Sequence, residues 1–329
     1  MINFAVIGAS KITGEFVSAA NLTGRYCLKA VYSRTEEKGR AFANKFNCNT
    51  VYTSLVDLAN DKTVNAVYVA SPNALHFKQS KFLLENGKHV ICEKTITQSP
   101  EEFSTLKKTA DDNNLIIMDA IMSRYAASRD SIKSAIAEIG DIALARIDFS
   151  KLSARYFDYL KGENVNIFNM ALGAGALMDI GVYCVYAAVD LLGMPESISA
   201  VASFLPDGAD SGGVALFRYN NFDAVLTYGK TAETAIGSEI LGTKGTVKIG
   251  KISQYLDAQL IKNGKGRPLS FAANKIDVMQ GEANAFADYV ENFSASKDKY
   301  AASSQLTYNV LLCIEQIKKS ASIVYPDYM

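Results

Sequence analysis

Histidine is scarce: His76 and His89 are the only two among 329 residues. No cluster of His, Cys and Asp at metal-ligand spacing accompanies them, which argues against a zinc site and leaves metal chemistry without a candidate. The five cysteines (Cys27, Cys48, Cys92, Cys184, Cys313) form no C-x-x-C pair, and their number is odd. They read as free thiols in a reducing compartment. An excess of one charge is also lacking, since 34 Lys and Arg face 34 Asp and Glu. With no basic stripe and no acidic tail, neither nucleic acid nor a charged protein partner is indicated. The first residues lack a basic stretch followed by a long apolar core. Residues 4–9 are too short for a signal peptide and suit a strand. No uninterrupted apolar run reaches spanning length, because residues 171–189 carry Asp179 and several glycines. The expectation is a cytoplasmic protein with no membrane partner.

What is present is an alternation. Short apolar strands at 2–7, 28–32, 66–70, 89–92 and 115–120 alternate with helices at 12–22, 36–46, 55–60, 75–85 and after Ser99-Pro100-Glu101-Glu102. That tetrapeptide offers an N-cap Ser, a first-turn Pro and a Glu at the third position. Repeated βαβ units imply a doubly wound parallel sheet that binds ligands at the carboxyl ends of its strands. A helix at 126–138 and a strand at 143–149 follow, then a polar, aromatic loop at 150–169. Beyond the apolar run come strands at 198–204, 214–219, 224–228, 238–241, 246–249 and 256–261, with hairpin spacing. Helices at 282–293 and 304–321 close the chain. The fold class is therefore α/β: an N-terminal domain over 1–121 with a parallel sheet, and a C-terminal α/β domain over 122–329 with a large, mostly antiparallel sheet. The last helix is free to pack back on the first domain.

One charge is out of place. From 171 to 189 the chain reads ALGAGALMDIGVYCVYAAV, in which Asp179 is the only charged residue. Apolar residues surround this predicted helix rather than striping it, so it is expected to be buried. A lone buried carboxylate is costly unless paired or used. Tyr183, four residues on, shares its helical face. An acid and a phenol together suit proton transfer. A structural acid capping a nearby loop is the competing explanation.

The first βα turn reads Gly8-Ala9-Ser10-Lys11-Ile12-Thr13. Of the dinucleotide pattern G-x-G-x-x-G/A it keeps only the first glycine. Its place after the first strand makes Gly8, Ser10, Lys11 and Ile12 candidates to hold a pyrophosphate on the helix N-terminus; a plain tight turn is the competing reading. The second strand ends at Ser33-Arg34, where an NAD site usually has Asp or Glu. A hydroxyl and a guanidinium suit a 2′-phosphate, so NADP is favoured over NAD. A solvated arginine at a helix entry is the other reading of Arg34. The fourth strand leads to Ser71-Pro72-Asn73-Ala74-Leu75-His76 and the fifth to Glu93-Lys94-Thr95, both at the ligand edge. Lys94 beside Glu93 suits catalysis, with an exposed ion pair as the alternative.

These segments together resemble the Gfo/Idh/MocA family of oxidoreductases. AVIGASKIT, VYSRTEEKGRAFANKF, VNAVYVASPNALH, NGKHVICEKT, MDAIMSRY and GAGALMDIGVY carry the likeness, and MQGEANAFADYVENF extends it toward the end. The resemblance implies a Rossmann domain and a C-terminal domain whose open sheet often builds a homodimer or tetramer. It implies that Lys94 is catalytic, that Glu93 lies near the nicotinamide ribose, and that Pro72 and Asn73 lie near the nicotinamide; His76 falls in the same cofactor-binding segment. Asp179 and Tyr183 match the family's D-x-G-x-Y form, whose bearers tend to use NADP. The family's Glu-Lys-Pro is Glu-Lys-Thr here, and the glycine turn is reduced.

The chemistry expected is hydride transfer between nicotinamide and a carbinol or carbonyl carbon of a carbohydrate-like substrate: a sugar, polyol or diol. Tyr183 exchanges the hydroxyl proton, Lys94 supplies positive charge, and Asp179 orients or balances it. An interdomain cleft is the expected substrate pocket. Arg124, Tyr156, Phe157 and Asn169 are substrate candidates, with loop packing or a structural ion pair as alternatives. A cofactor-binding regulator without chemistry is the second hypothesis, and the retained Lys94, Asp179 and Tyr183 oppose it. Nicotinamide-assisted glycoside cleavage is the third, and a histidine in place of Tyr183 would have been its sign.

Overall fold

The computed structural model describes residues 1–269, 272 and 274–326. It divides into two compact units. The first comprises Met1–Ile121 and Asn274–Gln305; the second takes the chain from Met122 onward and resumes at Leu306.

In the first unit, β1 (Ile2–Ile7), β2 (Tyr26–Tyr32), β3 (Thr50–Tyr52), β4 (Ala66–Val69), β5 (His89–Glu93) and β6 (Ile117–Ala120) form one sheet. The order is β3-β2-β1-β4-β5-β6 and every pairing is parallel. Strands covered on both faces need continuous apolar runs, and β4 (AVYV) is buried throughout. Helices α1 (Lys11–Leu22), α2 (Glu36–Ala43), α3 (Leu55–Asn60), α4 (Asn73–Glu85) and α5 (Pro100–Asp112) make the crossovers. Ser99 caps α5 as expected, its side chain accepting the Glu102 N–H, while the Gln98 N–H donates to Glu102. The order reverses between β1 and β4, which places a crevice beyond their carboxyl ends. Beneath it the Phe16 ring of α1 stacks on Tyr68 of β4, centroids 3.9 Å apart.

The second unit holds the larger sheet. Its strands are β7 (Ile142–Ser150), β8 (Ser197–Phe204), β9 (Asp210–Arg218), β10 (Asp223–Gly229), β11 (Ser238–Gly242), β12 (Gly245–Lys251), β13 (Leu256–Lys262) and β14 (Lys265–Pro268). They are ordered β14-β13-β12-β11-β7-β10-β9-β8, antiparallel except where β10 runs parallel to β7. Helices α6 (Arg129–Glu138), α7 (Ala154–Leu160) and α8 (Val182–Leu192) accompany it. A bidentate pair ties two of them, Arg129 on α6 donating to both carboxylate oxygens of Asp190 on α8.

Three expectations change. The stretch 150–169 is not all loop, because α7 and a 3-10 turn at Asn166–Phe168 lie within it. The edge hairpin strand β14 was not foreseen; its KGRP sequence has no strand pattern and is exposed throughout. The apolar run from 171 to 189 is not one helix. It begins with a 3-10 turn (Met170–Leu172), turns sharply at Gly173 and Gly175, forms a π-helical turn (Leu177–Gly181), and only then becomes α8. By length and apolar composition 170–192 could cross a membrane, yet 78% of its most apolar window is buried inside the protein, as in a core helix. Helix α8 stops at Gly193, whose φ of 87° lies outside helical space.

Helices α9 (Lys275–Glu291) and α10 (Phe293–Ser320) follow the sheet. Asn274 starts α9 with a reciprocal capping box to Asp277. The division between units falls inside α10. In the first unit α9 docks against the N-terminal elements: Arg25 pairs with Asp288 and Glu291, Lys275 reaches Glu15 at 2.6 Å, and Tyr26 donates to the Ala283 carbonyl.

Candidate functional site

Candidate residues fall in both units, and each group is built separately.

In the first unit the turn after β1 requires its glycine. Gly8 has φ 101°, and a Cβ added there would sit 2.6 Å from the Ala70 carbonyl oxygen at the end of β4. The two turns are in backbone contact, so only a residue without a side chain fits. Ser10 then caps α1 by accepting the Thr13 N–H at 3.4 Å, and the two hydroxyls lie 2.9 Å apart. Lys11 is exposed and Ile12 half-buried at the same helix start. A helix N-terminus facing a glycine turn at the order reversal is a natural seat for a pyrophosphate. Across the same sheet edge, Ser33 is buried just after β2 and Arg34 is exposed beside it. A hydroxyl backed by a solvated guanidinium fits a terminal phosphate ester better than a ribose diol.

The turns after β4 and β5 are joined by one histidine. His76 is fully buried, with Nδ1 2.9 Å from the Thr95 carbonyl and Nε2 2.8 Å from that of Ser71. Burial, aided by the charge of Lys94, holds its pKa below the ordinary histidine value against the pull of both carbonyls. The neutral ring carries a single N–H, so one of these carbonyls accepts from it and the other faces a ring lone pair. Ser71 also donates to Gln79 on α4, and Pro72 and Asn73 open that helix. Glu93 ends β5, buried, and accepts a short hydrogen bond from the Tyr68 hydroxyl. Burial raises its pKa, opposed chiefly by the adjoining Lys94. The Lys94–Thr95 peptide bond is cis, at the place where the sequence departs from a Lys-Pro pair. Below lies Glu282 of α9, fully buried, neither oxygen making a hydrogen bond among the described residues. Burial and the nearby Glu93 and Asp119 carboxyls hold its pKa well above the usual range.

In the second unit the odd carboxylate has an unforeseen partner. Asp179 lies in the π-helical turn and forms an ion pair with Lys230, just beyond β10. The expected burial is reversed between them: the Lys230 side chain is 4% exposed and that of Asp179 is 38% exposed. Lys230 also lies over the Phe168 ring, 5.6 Å from its centroid. Tyr183 is buried in the first turn of α8, edge-on to Phe149. A π-helical turn contains one residue more than an α-turn would, and such bulges often re-aim side chains at functional sites.

Asp210 completes this region. It is fully buried on β9, and its Oδ2 accepts the N–H of Leu177, the first residue of the π-helical turn, at 2.7 Å. Burial pushes its pKa up to about 6, moderated by that N–H and by Lys230. Sequence reading missed both Lys230 and Asp210, since each borders a strand with nothing in its local pattern to mark it. Of the remaining candidates, Arg124 lies in a 3-10 turn over the Tyr125 ring, and Tyr156 packs against Tyr159 and Phe168. Phe157 is exposed, and Asn169 caps the turn at 170–172 while lining a recess with Tyr159, Glu163, Phe168 and Asp207.

Comparison with known proteins follows this geometry. Residues 2–120 match the oxidoreductase family with an NAD-binding Rossmann fold, and residues 131–248 match the Gfo/Idh/MocA C-terminal domain. The chain is 34% identical over 326 residues to the uncharacterized oxidoreductase YgjR of Escherichia coli, covering 99% of this chain and 98% of that one. It is 32% identical over 327 residues to the scyllo-inositol 2-dehydrogenase (NADP(+)) IolU of Bacillus subtilis, covering 99% of each. The structure of KijD10, a 3-ketoreductase from Actinomadura kijaniata in complex with NADP and TDP-benzene, superposes with a TM-score of 0.85. It is 23% identical and the match covers 97% of this chain and 98% of that one, a likeness of fold.

Proposed function

This chain belongs to the Gfo/Idh/MocA oxidoreductase family, and on that premise we propose that it transfers hydride between NADP and a carbinol or carbonyl carbon of a sugar, polyol or diol. The observation that supports this most directly is the meeting of three turns at one edge of the parallel sheet: Gly8 after β1, Pro72-Asn73 after β4 and Glu93-Lys94 after β5. The cradle suits a dinucleotide, because Gly8 closes the first turn against the Ala70 carbonyl and the chain then opens the N-terminus of α1. Ser10, Lys11 and Ile12 hold the pyrophosphate, Ser33 and Arg34 the 2′-phosphate, and Ser71, Pro72, Asn73 and Glu93 the nicotinamide half. His76 positions the last group by packing between the two turns and donating to one of them. When bound, the cofactor supplies the hydride acceptor or donor.

The chain's own residues handle the proton. Tyr183 exchanges it with the substrate hydroxyl, and the Lys94 ammonium stabilises negative charge developing on that oxygen. Asp179 accepts from a neighbouring substrate hydroxyl and fixes its orientation. Arg124, Tyr156, Phe157 and Asn169 are assigned to the substrate. NADP is preferred to NAD because Ser33-Arg34 replaces the usual ribose-binding acid, in keeping with the NADP named for the Bacillus relative. Residues 1–121 serve the cofactor and 122–329 the substrate. We place the enzyme in the cytoplasm, as a homodimer or tetramer joined through the face of the larger sheet on which Val201, Phe204 and Val214 stand exposed. Nothing favours a silent regulator.

Titration with NADPH and NADH, followed by fluorescence, tests the first half; binding of neither removes the proposal. A screen of sugars and polyols with NADP then tests turnover, and light scattering of the same preparation reads the assembly, a monomer refuting the sheet interface. Lys94→Ala and Tyr183→Phe should each lower kcat by at least about 100-fold, with cofactor Kd changed less than about threefold. Turnover surviving both substitutions overturns the assigned roles.

A further inference from the structure

Lys230 is a buried ammonium in contact with the candidate chemistry of the second unit. Its main chain is fixed on both sides, the N–H donating to the Ser211 carbonyl at 2.8 Å and the carbonyl accepting the Ser153 N–H at 2.9 Å. Its side chain has almost no access to water, and an ammonium so placed is costly without counter-charges. Two carboxylates supply them, one within the π-helical turn and one bonded to its first N–H. Asp179 takes the ammonium directly, and Asp210, bonded to the Leu177 N–H that begins the turn, is stabilised by its charge. A carboxylate beside a buried cation stays ionised and points one way. Other polar groups stand around the same turn: Asp210 holds its first N–H, and the Tyr228 ring of β10 packs against Gly181 at its end. The Tyr325 hydroxyl closes on the same Asp210 across Gly175.

We propose that Lys230 is a positioning residue: it commits Oδ2 of Asp179 to an ion pair, keeps that carboxylate ionised, and so sets the acid limb of the reaction. Its chemistry acts through Asp179 and not on the substrate. The kinetic part rests on the proposed hydride transfer; the electrostatic part does not. The test therefore begins without turnover. Carbon-13 NMR titration of the aspartate carboxyls in the full-length protein, with the Asp179 signal assigned by its loss in Asp179→Asn, gives the Asp179 pKa directly. Lys230→Met should raise it by at least about one unit, and Lys230→Arg should return it most of the way. An unchanged pKa in folded Lys230→Met overturns the proposal, whatever the enzyme's substrate proves to be.

With a substrate in hand, the acid limb of kcat/KM should move up in Lys230→Met by the same amount while the NADPH Kd stays fixed. The double variant Lys230→Met/Asp179→Asn removes both charges and so provides a folded protein should the single change unfold. It should match Asp179→Asn in rate and pH profile, because Lys230 has no other route to the reaction. A further tenfold loss in the double variant would show direct contact with substrate and overturn the positioning role. Absence of all turnover in the wild-type protein, with the NMR shift intact, would instead sink the proposed function and leave the ion pair's role standing.

Discussion

Gly8 carries the turn assigned above to the nucleotide because of what cannot stand there. Its positive φ strains any L side chain, and the Ala70 carbonyl occupies the place of a Cβ. The remaining glycines of the usual fingerprint are replaced by Ser10 and Thr13, which trade backbone freedom for a cap on α1. Gly8→Ala should therefore cost about 1–3 kcal/mol of stability and loosen NADPH by at least about tenfold, read by thermal unfolding and fluorescence titration. Retention of full affinity would mean that the turn does not carry the cofactor. At this scale the sequence was informative where a residue was conspicuous. Asp179 stood out as the single charge in an apolar run. Lys230 did not, because a lysine at the end of a strand has the same local pattern whether it is solvated or buried. The pairing spans 51 positions and is created only when the π-helical turn packs against β10.

At the scale of elements, the parallel sheet was legible almost strand by strand. Its strands are buried on both faces, and its helices have local stop and start signals such as Ser99-Pro100. The segment carrying Asp179 was misread for a physical reason. Composition reports burial, not helix type, so an apolar run that turns twice at glycine and then forms a π-helical turn has the same signature as a straight core helix. The distinction lies in Gly175, with φ 114°, whose missing Cβ leaves room for the Asp210 carboxylate. That carboxylate in turn satisfies the Leu177 N–H at the head of the turn. Gly175→Ala would drive a methyl onto Asp210 and should cost about 2–4 kcal/mol, from the combined backbone strain and overpacking. Urea unfolding checks the stability. If the π-helical turn depends on this contact, kcat should fall as well, even though Gly175 itself reaches no reacting atom. A variant with wild-type stability would mean that the turn is fixed by α8 alone.

For the molecule as a whole, buried titratable groups make stability vary with pH, His89 and Glu282 of the first unit among them. The Nδ1 of His89 accepts the Ile116 N–H, a bond that only the neutral ring can make, and burial lowers its pKa to about 4. As pH falls from about 6.5, the unfolded chain binds a proton that the native ring refuses, so stability drops toward pH 4 by up to about 1.4 kcal/mol per unit. Glu282 works in the other direction. Its native pKa is raised, so above about pH 4.3 the unfolded chain releases a proton that the native carboxyl keeps, and stability falls as pH rises. Glu93 is shifted in the same sense. Between pH 4.3 and 6.5 the two slopes oppose each other; above 6.5 His89 is neutral in both states and no longer offsets the carboxyls. Stability should therefore fall as pH rises above 6.5, until these carboxyls ionise in the native state. Glu282→Met removes a buried carboxyl that has no hydrogen-bond partner among the described residues, and should raise stability near neutrality by about 1–3 kcal/mol. The same change should flatten the alkaline decline and uncover the loss due to His89 on the acid side. Urea unfolding at pH 5.5, 7 and 8.5 decides the matter: parallel curves for the two proteins would show that Glu282 is ionised in the native state, and that α9 brings a charge, not a neutral acid, beneath Glu93.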